Sequence, residues 1–223
     1  MRQIILTSFL LLSTLFLHAS ERTGTASPAE YLLSPTPTTD AIERLLTDKE
    51  IEGSILYNPQ TYAFYVRRQY TPLWSRNQHP LPVAYDLQHA IETIDRDGLN
   101  PNAPAYHLHR ISALLQSRQS ERLARLDLLL TDAFLTLARH LHYGVAYGTQ
   151  GDGIPSDRPH TLDMAAILEK AVTDQTVAEA LAVLTPRTPE YQRLKKALAH
   201  YRELASSGAW STNPCHHVEI REF

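Results

Sequence analysis

The segment from Ser120 to Gly144 is the feature that most constrains how this chain can fold. Its apolar side chains recur at steps of three and four residues, the spacing of one helix face. That face comprises Leu123, Leu126, Leu130, Ala133, Phe134, Leu137 and Leu141, and it is widened by Leu128, Leu129, Leu135 and Ala138. A helix that is apolar over most of its circumference has to be surrounded by other elements. We therefore predict an all-α fold, a single domain of seven or eight helices packed around this central helix.

The ends of the central helix carry recognisable signals. Ser120 is suited to the N-cap, and Glu121 favours the positive end of the helix dipole. Gly144 can supply the residue with positive φ that follows a helix. We expect the helix to begin and end at these residues.

Two acids, Asp127 and Asp132, interrupt the apolar pattern of this helix. A separation of five residues rotates them about 140° apart, so they cannot form a catalytic carboxylate pair from this helix alone. One interpretation of Asp127 is a structural carboxylate hydrogen-bonded to a neighbouring helix end. The alternative is a catalytic role.

The other helices are marked by caps, prolines and apolar stripes. We predict helix starts near Thr39, at Asn58-Pro59, Pro82, Asn100-Pro101, Thr161 and Thr188-Pro189, and a helix end at Gly98. Two of the predicted buried stripes are Tyr62, Tyr65 and Val66 in the second helix, and Leu194, Leu198, Tyr201 and Leu204 in the last. No strongly alternating strand pattern is present.

An aromatic cluster lies early in the chain and consists of Tyr62, Tyr65, Tyr70 and Trp74. Such a cluster can form a ligand or partner surface, for example a platform on which carbohydrate stacks. The alternative is a corner of the hydrophobic core. It is the candidate site that the sequence offers, and the choice between the two interpretations depends on burial.

The chain divides into four segments. Residues 1–20 have the basic Arg2 followed by an apolar run, as in a signal peptide, with cleavage expected near Ala19 or Ser20. Residues 21–38 form a Ser-, Thr- and Pro-rich leader, 39–210 the helical domain, and 211–223 an unstructured tail. We expect an exported, periplasmic protein without a stable membrane anchor after cleavage. Its mature charge of about −4 does not suggest a nucleic-acid partner.

Residues able to carry chemistry are present without a recognised pattern. The eleven histidines include pairs two residues apart, at His107 and His109 and at His140 and His142, which point in different directions on a helix. The single cysteine, Cys215, lies in the tail, and the Gly-rich segment 145–160 lacks a phosphate-binding signature. We expect no metal site, no cofactor and no catalytic residue.

Several segments together resemble a known family. They are YVRRQYTPLW at 65–74, DGLNP at 97–101, YHL at 106–108, LDLLLTDAFL at 126–135 and LTPRTPEYQRLKKALAHYRELASSGAW at 184–210. In this order they resemble the N-terminal scaffold domain of the large multi-domain L,D-transpeptidases of Gram-negative bacteria. The resemblance covers residues 38 to 210. In that family a separate domain joins peptide stems of peptidoglycan through the cysteine of a Ser-x-Gly-Cys-x-Arg motif.

This resemblance implies a scaffold module without an active site, because the sequence contains no Ser-x-Gly-Cys and Cys215 lies in Asn-Pro-Cys-His. The expected function is a periplasmic, non-catalytic role in peptidoglycan cross-linking and cell-wall remodelling, with peptidoglycan or cell-wall proteins as partners. The alternatives are a peptidoglycan- or protein-binding adaptor and a carboxylate-dependent cell-wall hydrolase. The helix pattern disappears after Trp210, which suggests a truncated gene product, with a stand-alone protein as the alternative.

Overall fold

A computed structural model describes residues 36–47, 59–145 and 162–207 of the 223-residue chain. The described residues form eight α-helices, which confirms the predicted all-α fold. The helices are α1 (Pro37–Thr47), α2 (Pro59–Arg67), α3 (Pro82–Glu92), α4 (Leu108–Leu114), α5 (Ser120–Tyr143), α6 (Met164–Thr173), α7 (Val177–Leu184) and α8 (Pro189–Ser206). Two 3₁₀ helices span Ile94–Asp97 and Pro104–Tyr106, and two short strands are β1 (Ser75–Arg76) and β2 (His79–Pro80).

Helix α5 is the centre of the domain, as its sequence predicts. It packs against α1, α2, α3, α4, α6 and α7. Leu130 and Phe134 in its middle are fully buried. Gly144 follows the last residue of the helix with φ +87°, a conformation that favours glycine. The predicted N-cap is wrong by one residue, because Ser120 is already helical and Gln119 is the cap.

Helix α2 presents a different face to the core from the one predicted. Its buried residues are Thr61, Phe64 and Tyr65. Tyr62 and Val66, which the sequence placed in the buried stripe, are 46% and 42% exposed. A shift of one residue turns a helix by about 100°, and here it moves two of the three predicted residues to the surface.

The connection from α2 to α3 contains a small hairpin that the sequence analysis did not predict. β1 and β2 pair antiparallel through Ser75 with Pro80 and Arg76 with His79. The two turn residues, Asn77 and Gln78, have φ of +51° and +61°. Positive φ at both central positions is typical of a type I′ hairpin turn. The hairpin holds the chain at Leu73–Ser75 against the central helix.

The region between α3 and α5 is less helical than predicted. Gly98 has left-handed geometry, as expected of a stop signal, but it ends the first 3₁₀ helix. Helix α3 itself ends at Glu92, before the predicted end at Gly98. Asn100-Pro101 does not start an α-helix, because a turn and the second 3₁₀ helix follow it. His107 then takes a left-handed φ of +53°, which prevents one continuous helix, and α4 begins only at Leu108.

Two further helix starts differ from their predictions. α1 begins at Pro37, two residues before the predicted Thr39 and within the predicted leader. α6 is capped by Asp163, whose side chain accepts hydrogen bonds from the backbone N–H groups of Ala165 and Ala166, each at 3.0 Å. The predicted cap, Thr161, lies outside the described residues.

Helix α8 starts as predicted but lies outside the core. The Thr188 hydroxyl accepts from the Tyr191 N–H at 3.3 Å, as expected of an N-cap. None of the residues of α8 is buried, so the predicted buried stripe is wrong. Leu194 and Tyr201 are 70% and 55% exposed.

Polar contacts attach α8 to the first 3₁₀ helix. The Tyr191 hydroxyl donates to Asp97 at 2.7 Å, and Lys195 forms an ion pair with the same carboxylate. Arg202 pairs with Asp95. These contacts place the helix against the domain without burying its apolar side chains.

Several predictions fall outside the described residues. They are the signal peptide 1–20, the leader up to residue 35, the predicted cap Asn58, the Gly-rich segment from residue 146 to 160, and the end of the chain from residue 208, including Cys215. Within the described ranges, no helix combines the length and the apolar character required to traverse a bilayer.

Candidate functional site

Asp127 is enclosed in the core by donors to both of its carboxylate oxygens. Oδ1 accepts from the Leu73 N–H at 2.6 Å and from the Tyr65 hydroxyl at 2.8 Å. Oδ2 accepts from the Ser75 hydroxyl at 3.0 Å, and the Trp74 N–H lies 3.1–3.2 Å from both oxygens. The geometry corresponds to the structural interpretation of Asp127. The partners come from the α2 side and the connection to β1 rather than from a helix end.

The same network explains the aromatic cluster. The Tyr65 hydroxyl lies 2.8 Å from the Thr131 hydroxyl, and the Trp74 indole N–H donates to that hydroxyl at 3.0 Å. Tyr65 and Trp74 are both fully buried, so the proposed four-residue aromatic surface does not exist as predicted. Tyr62 is exposed and Tyr70 is partly buried against the core. Tyr65 and Trp74 therefore belong to a corner of the hydrophobic core, and the hydrogen bonds to Asp127 and Thr131 satisfy their polar atoms there.

Burial sets the electrostatics of this network. Removal from water raises the pKa of the Asp127 carboxyl above its usual range, although the hydrogen bonds from Leu73, Tyr65, Trp74 and Ser75 lower it. Burial also raises the pKa of Tyr65, and the Asp127 charge adds to that effect. A carboxyl with both oxygens enclosed cannot reach a substrate, so a raised pKa here does not indicate a general acid.

Asp132 forms a second buried polar cluster. The Thr61 hydroxyl donates to Oδ1 at 3.0 Å, and His107 Nε2 lies 2.8 Å from Oδ2. In a nucleophilic triad the imidazole contacts the hydroxyl, whereas here the carboxylate lies between them. The cluster therefore connects α2 and the residue before α4 to the central helix, and it does not activate a nucleophile.

His140 lies in a third buried contact, with the second 3₁₀ helix. Its Nδ1 is 2.7 Å from the Tyr106 hydroxyl, and the two rings meet edge to face at 5.6 Å. The predicted histidine pairs are thus divided: His107 and His140 are engaged inside, whereas His109 and His142 are exposed. In the part of the chain that the structure describes, no group of three His, Cys, Asp or Glu side chains could hold a metal ion.

The burial of Tyr106 is expected to make the protein less stable at alkaline pH. Burial raises the pKa of Tyr106 to about 12, whereas an unfolded tyrosine titrates near 10. Between these values the unfolded chain binds fewer protons, so the free energy of unfolding falls as the pH rises. Tyr106 alone contributes a slope of at most about 1.4 kcal/mol per pH unit in this range. The measurement is urea denaturation at several pH values from 9 to 12. The free energy of unfolding is expected to fall less steeply with pH for Tyr106→Phe than for the wild type, and equal pH dependences would contradict this prediction.

A cavity of about 340 Å³ lies where α2, the end of α5 and the start of α6 meet. The α2 wall consists of residues at helical spacing, including Ala63, Phe64 and Arg67, and the α5 wall is lined by Leu135, Arg139 and Tyr143. Residues 162–165 complete the lining. The volume is at the lower end of the roughly 300–1,000 Å³ typical of ligand sites.

Two arginines give this cavity its charge. The Arg67 guanidinium lies 5.8 Å from the centre of the Phe64 ring. Arg139 Nε is enclosed and has no hydrogen-bond partner within the described ranges. No sequence pattern predicted this cavity. The i, i+4 spacing of Leu135, Arg139 and Tyr143 indicates one side of α5, but no local signal shows that Arg67 faces it.

The comparisons with known proteins identify a family. A family model described as a Scaffold domain matches residues 59–198, which is more than half of the chain. No curated protein and no solved structure matches the chain. The matched range extends from the first residue of α2 into α8 and includes the central helix with both of its acids. The protein belongs to the Scaffold domain family.

Proposed function

We propose that the protein is a periplasmic, non-catalytic scaffold module associated with L,D-transpeptidases and with peptidoglycan cross-linking. The observation that carries the proposal is the Scaffold domain match over residues 59–198. The motifs from YVRRQYTPLW to the α8 segment support it, because they follow the order found in the transpeptidase scaffold domain. The apolar segment after Arg2 supports export.

The burial and the hydrogen bonds of the two acids of α5 support a non-catalytic role. A glycoside hydrolase needs a general acid facing a second carboxylate across a cleft. Asp127 is fully buried, Asp132 is 5% exposed, and each is engaged with its own set of donors. Among the described residues that line the cavity at the end of α5, Asp163 is the only carboxylate, so these residues do not supply the pair either.

Purified protein is expected to form no cross-linked product from disaccharide-tetrapeptide substrates. The reason is chemical: an acyl-enzyme requires an activated thiolate, and Cys215 lies outside any Ser-x-Gly-Cys segment. The measurement is chromatography of the products with mass detection, with a complete L,D-transpeptidase as positive control. Cross-linked product that disappears in Cys215→Ala would overturn the non-catalytic proposal.

The cellular part of the proposal has its own test. Deletion of the gene is expected to change the fraction of cross-linked muropeptides, and osmotic-shock fractionation is expected to release the protein with the periplasmic contents. Complementation with the wild-type gene is the control. Unchanged muropeptides together with retention of the protein in the cytoplasm would contradict the proposal.

A peptidoglycan-binding adaptor is the second candidate function. The observation that favours it is the cationic cavity between α2, α5 and α6, since the stem peptides of peptidoglycan carry carboxylates. Co-sedimentation with purified sacculi separates the two candidates. An adaptor is expected to sediment with sacculi on its own, whereas a scaffold that acts through a catalytic chain is expected to remain in the supernatant.

A further inference from the structure

We infer that the cavity between α2, α5 and α6 binds the C-terminal carboxylate of a short peptide with an apolar last residue. The observation behind this is that two arginines, Arg67 and Arg139, line one cavity that also has apolar residues in its lining. The inference deepens the second candidate function, the peptidoglycan-binding adaptor, because both rest on this cavity, and it does not depend on the scaffold role. Titration with a dipeptide and co-sedimentation with sacculi test the two separately.

Arg67 and Arg139 form no ion pair with any carboxylate of residues 36–47, 59–145 or 162–207. The neighbouring Arg68 differs, because it pairs with Glu169. Two cations lining one cavity without acidic partners in the described chain repel each other, and an anion between them removes that repulsion.

Arg139 Nε is enclosed by the protein, which restricts the movement of the side chain at this atom. A buried charged donor without a partner is unfavourable in free energy. A carboxylate against the terminal nitrogens of the guanidinium neutralises its charge, and a pre-positioned fork of donors suits the two oxygens of a carboxylate.

The charges of the lining residues indicate the charge of the ligand. The start of α6 lines the cavity and would ordinarily attract anions, but Asp163 already accepts from the Ala165 and Ala166 N–H groups. The described residues of the lining therefore carry two positive charges and one negative charge, from Arg67, Arg139 and Asp163. This balance favours a singly charged carboxylate over a doubly charged phosphate.

The apolar residues of the lining indicate the rest of the ligand. Phe64, Leu135 and Met164 line the cavity beside the arginines, and all three lie within the residues that match the Scaffold domain. A volume of about 340 Å³ suits a small ligand, and the cavity opens to solvent, so a chain can extend outwards. A carboxylate attached to a small apolar residue, at the end of a peptide, meets both conditions.

The test is titration of the purified, isotope-labelled protein with N-acetyl-alanyl-alanine, followed by NMR. Saturable shifts of the Arg139 Nε–H signal and of Leu162–Ala165 amides are expected. The C-terminal amide of the same dipeptide, which lacks the charge, is expected to bind at least about tenfold more weakly. Repeating the titration with the D,D dipeptide distinguishes a cell-wall stem peptide from an ordinary protein terminus as the source of the carboxylate, and binding of either form supports the site.

Arg67→Gln is the decisive variant, because Arg67 is exposed and its replacement leaves the core intact. It is expected to weaken dipeptide binding about tenfold. Arg122→Gln is the matched control, because Arg122 is an exposed arginine that does not line the cavity. This variant is expected to bind the dipeptide as the wild type does. Absence of shifts at millimolar dipeptide, equal binding of acid and amide, an unaffected Arg67→Gln variant, or tighter binding of inorganic phosphate would each overturn the inference.

Discussion

Asp127→Ala is expected to lower the free energy of unfolding by at least about 3 kcal/mol, a loss that single substitutions rarely cause. The change leaves the backbone N–H groups of Leu73 and Trp74 in the core without an acceptor. The hydroxyls of Ser75 and Tyr65 lose a partner at the same time. Each buried polar group left unpaired costs about 1–3 kcal/mol. Urea denaturation monitored by far-ultraviolet circular dichroism measures the loss.

Asp127→Asn is expected to be nearly as destabilising, although it conserves the shape of the side chain. The Trp74 N–H lies 3.1–3.2 Å from both carboxylate oxygens, so the amide NH₂ faces a donor in either orientation. Asp86→Ala is the matched control, because Asp86 is exposed on α3, and a change under about 0.5 kcal/mol is expected there. If the Asp127 variants unfolded at the same urea concentration as Asp86→Ala, the structural role of this carboxylate would be wrong.

The sequence was sufficient to predict the central helix and the fold class. The apolar pattern of α5 extends over 24 residues and ends at a glycine, so few alternative assignments fit it. The starts of α3 and α8 were equally predictable. Pro82 fixes φ at the first position of α3, and Thr188 offers an oxygen to the first free N–H groups of α8.

The face of α2 could not be predicted in the same way. A nine-residue helix with neighbouring aromatic and branched residues fits more than one apolar stripe. The choice is made by distant partners: Thr61 donates to Asp132 and Tyr65 donates to Asp127. The acids of α5 thus select the side of α2 that is buried. Those contacts join residues that are 71 and 62 positions apart in the sequence, a separation that no local pattern encodes.

The candidate cavity was also beyond sequence reasoning. Its arginines belong to two helices, and a third segment, at the start of α6, completes the lining. Each arginine alone has the pattern of an ordinary surface residue near a helix C-terminus. Only the packing of α2 and α6 against the end of α5 places Arg67 and Arg139 on one cavity, and that packing follows from the buried contacts of the whole domain.

The apolar stripe of α8 was predicted as buried because periodicity reports which residues share a face, not whether another element covers that face. Leu194 and Tyr201 do share a face, as their spacing of seven indicates, and both are exposed. The 3₁₀ helix at Ile94–Asp97 contacts α8 mainly through charged and hydroxyl groups. The difference between α5 and α8 is therefore one of packing, and it can be measured.

A pair of identical substitutions makes that measurement. Leu130→Ala is expected to lower the free energy of unfolding by about 2–5 kcal/mol, because Leu130 is fully buried and its truncation leaves a cavity. Leu194→Ala is expected to cost under about 0.5 kcal/mol, because Leu194 is 70% exposed and alanine is at least as good a helix former. Both variants lose the same atoms from a helix, so the difference between them isolates burial.

Phe134→Ala and Arg122→Ala extend the comparison along the same helix. Phe134 is fully buried in the middle of α5, and its truncation is expected to cost about 3–5 kcal/mol. Arg122 is exposed in the first turn of α5, and its change is expected to cost under about 0.5 kcal/mol. The measurement for all four variants is the urea midpoint at constant slope. Equal midpoints for Leu130→Ala and Leu194→Ala would contradict the placement of α5 at the centre and of α8 at the surface, because the two leucines would then be equally buried.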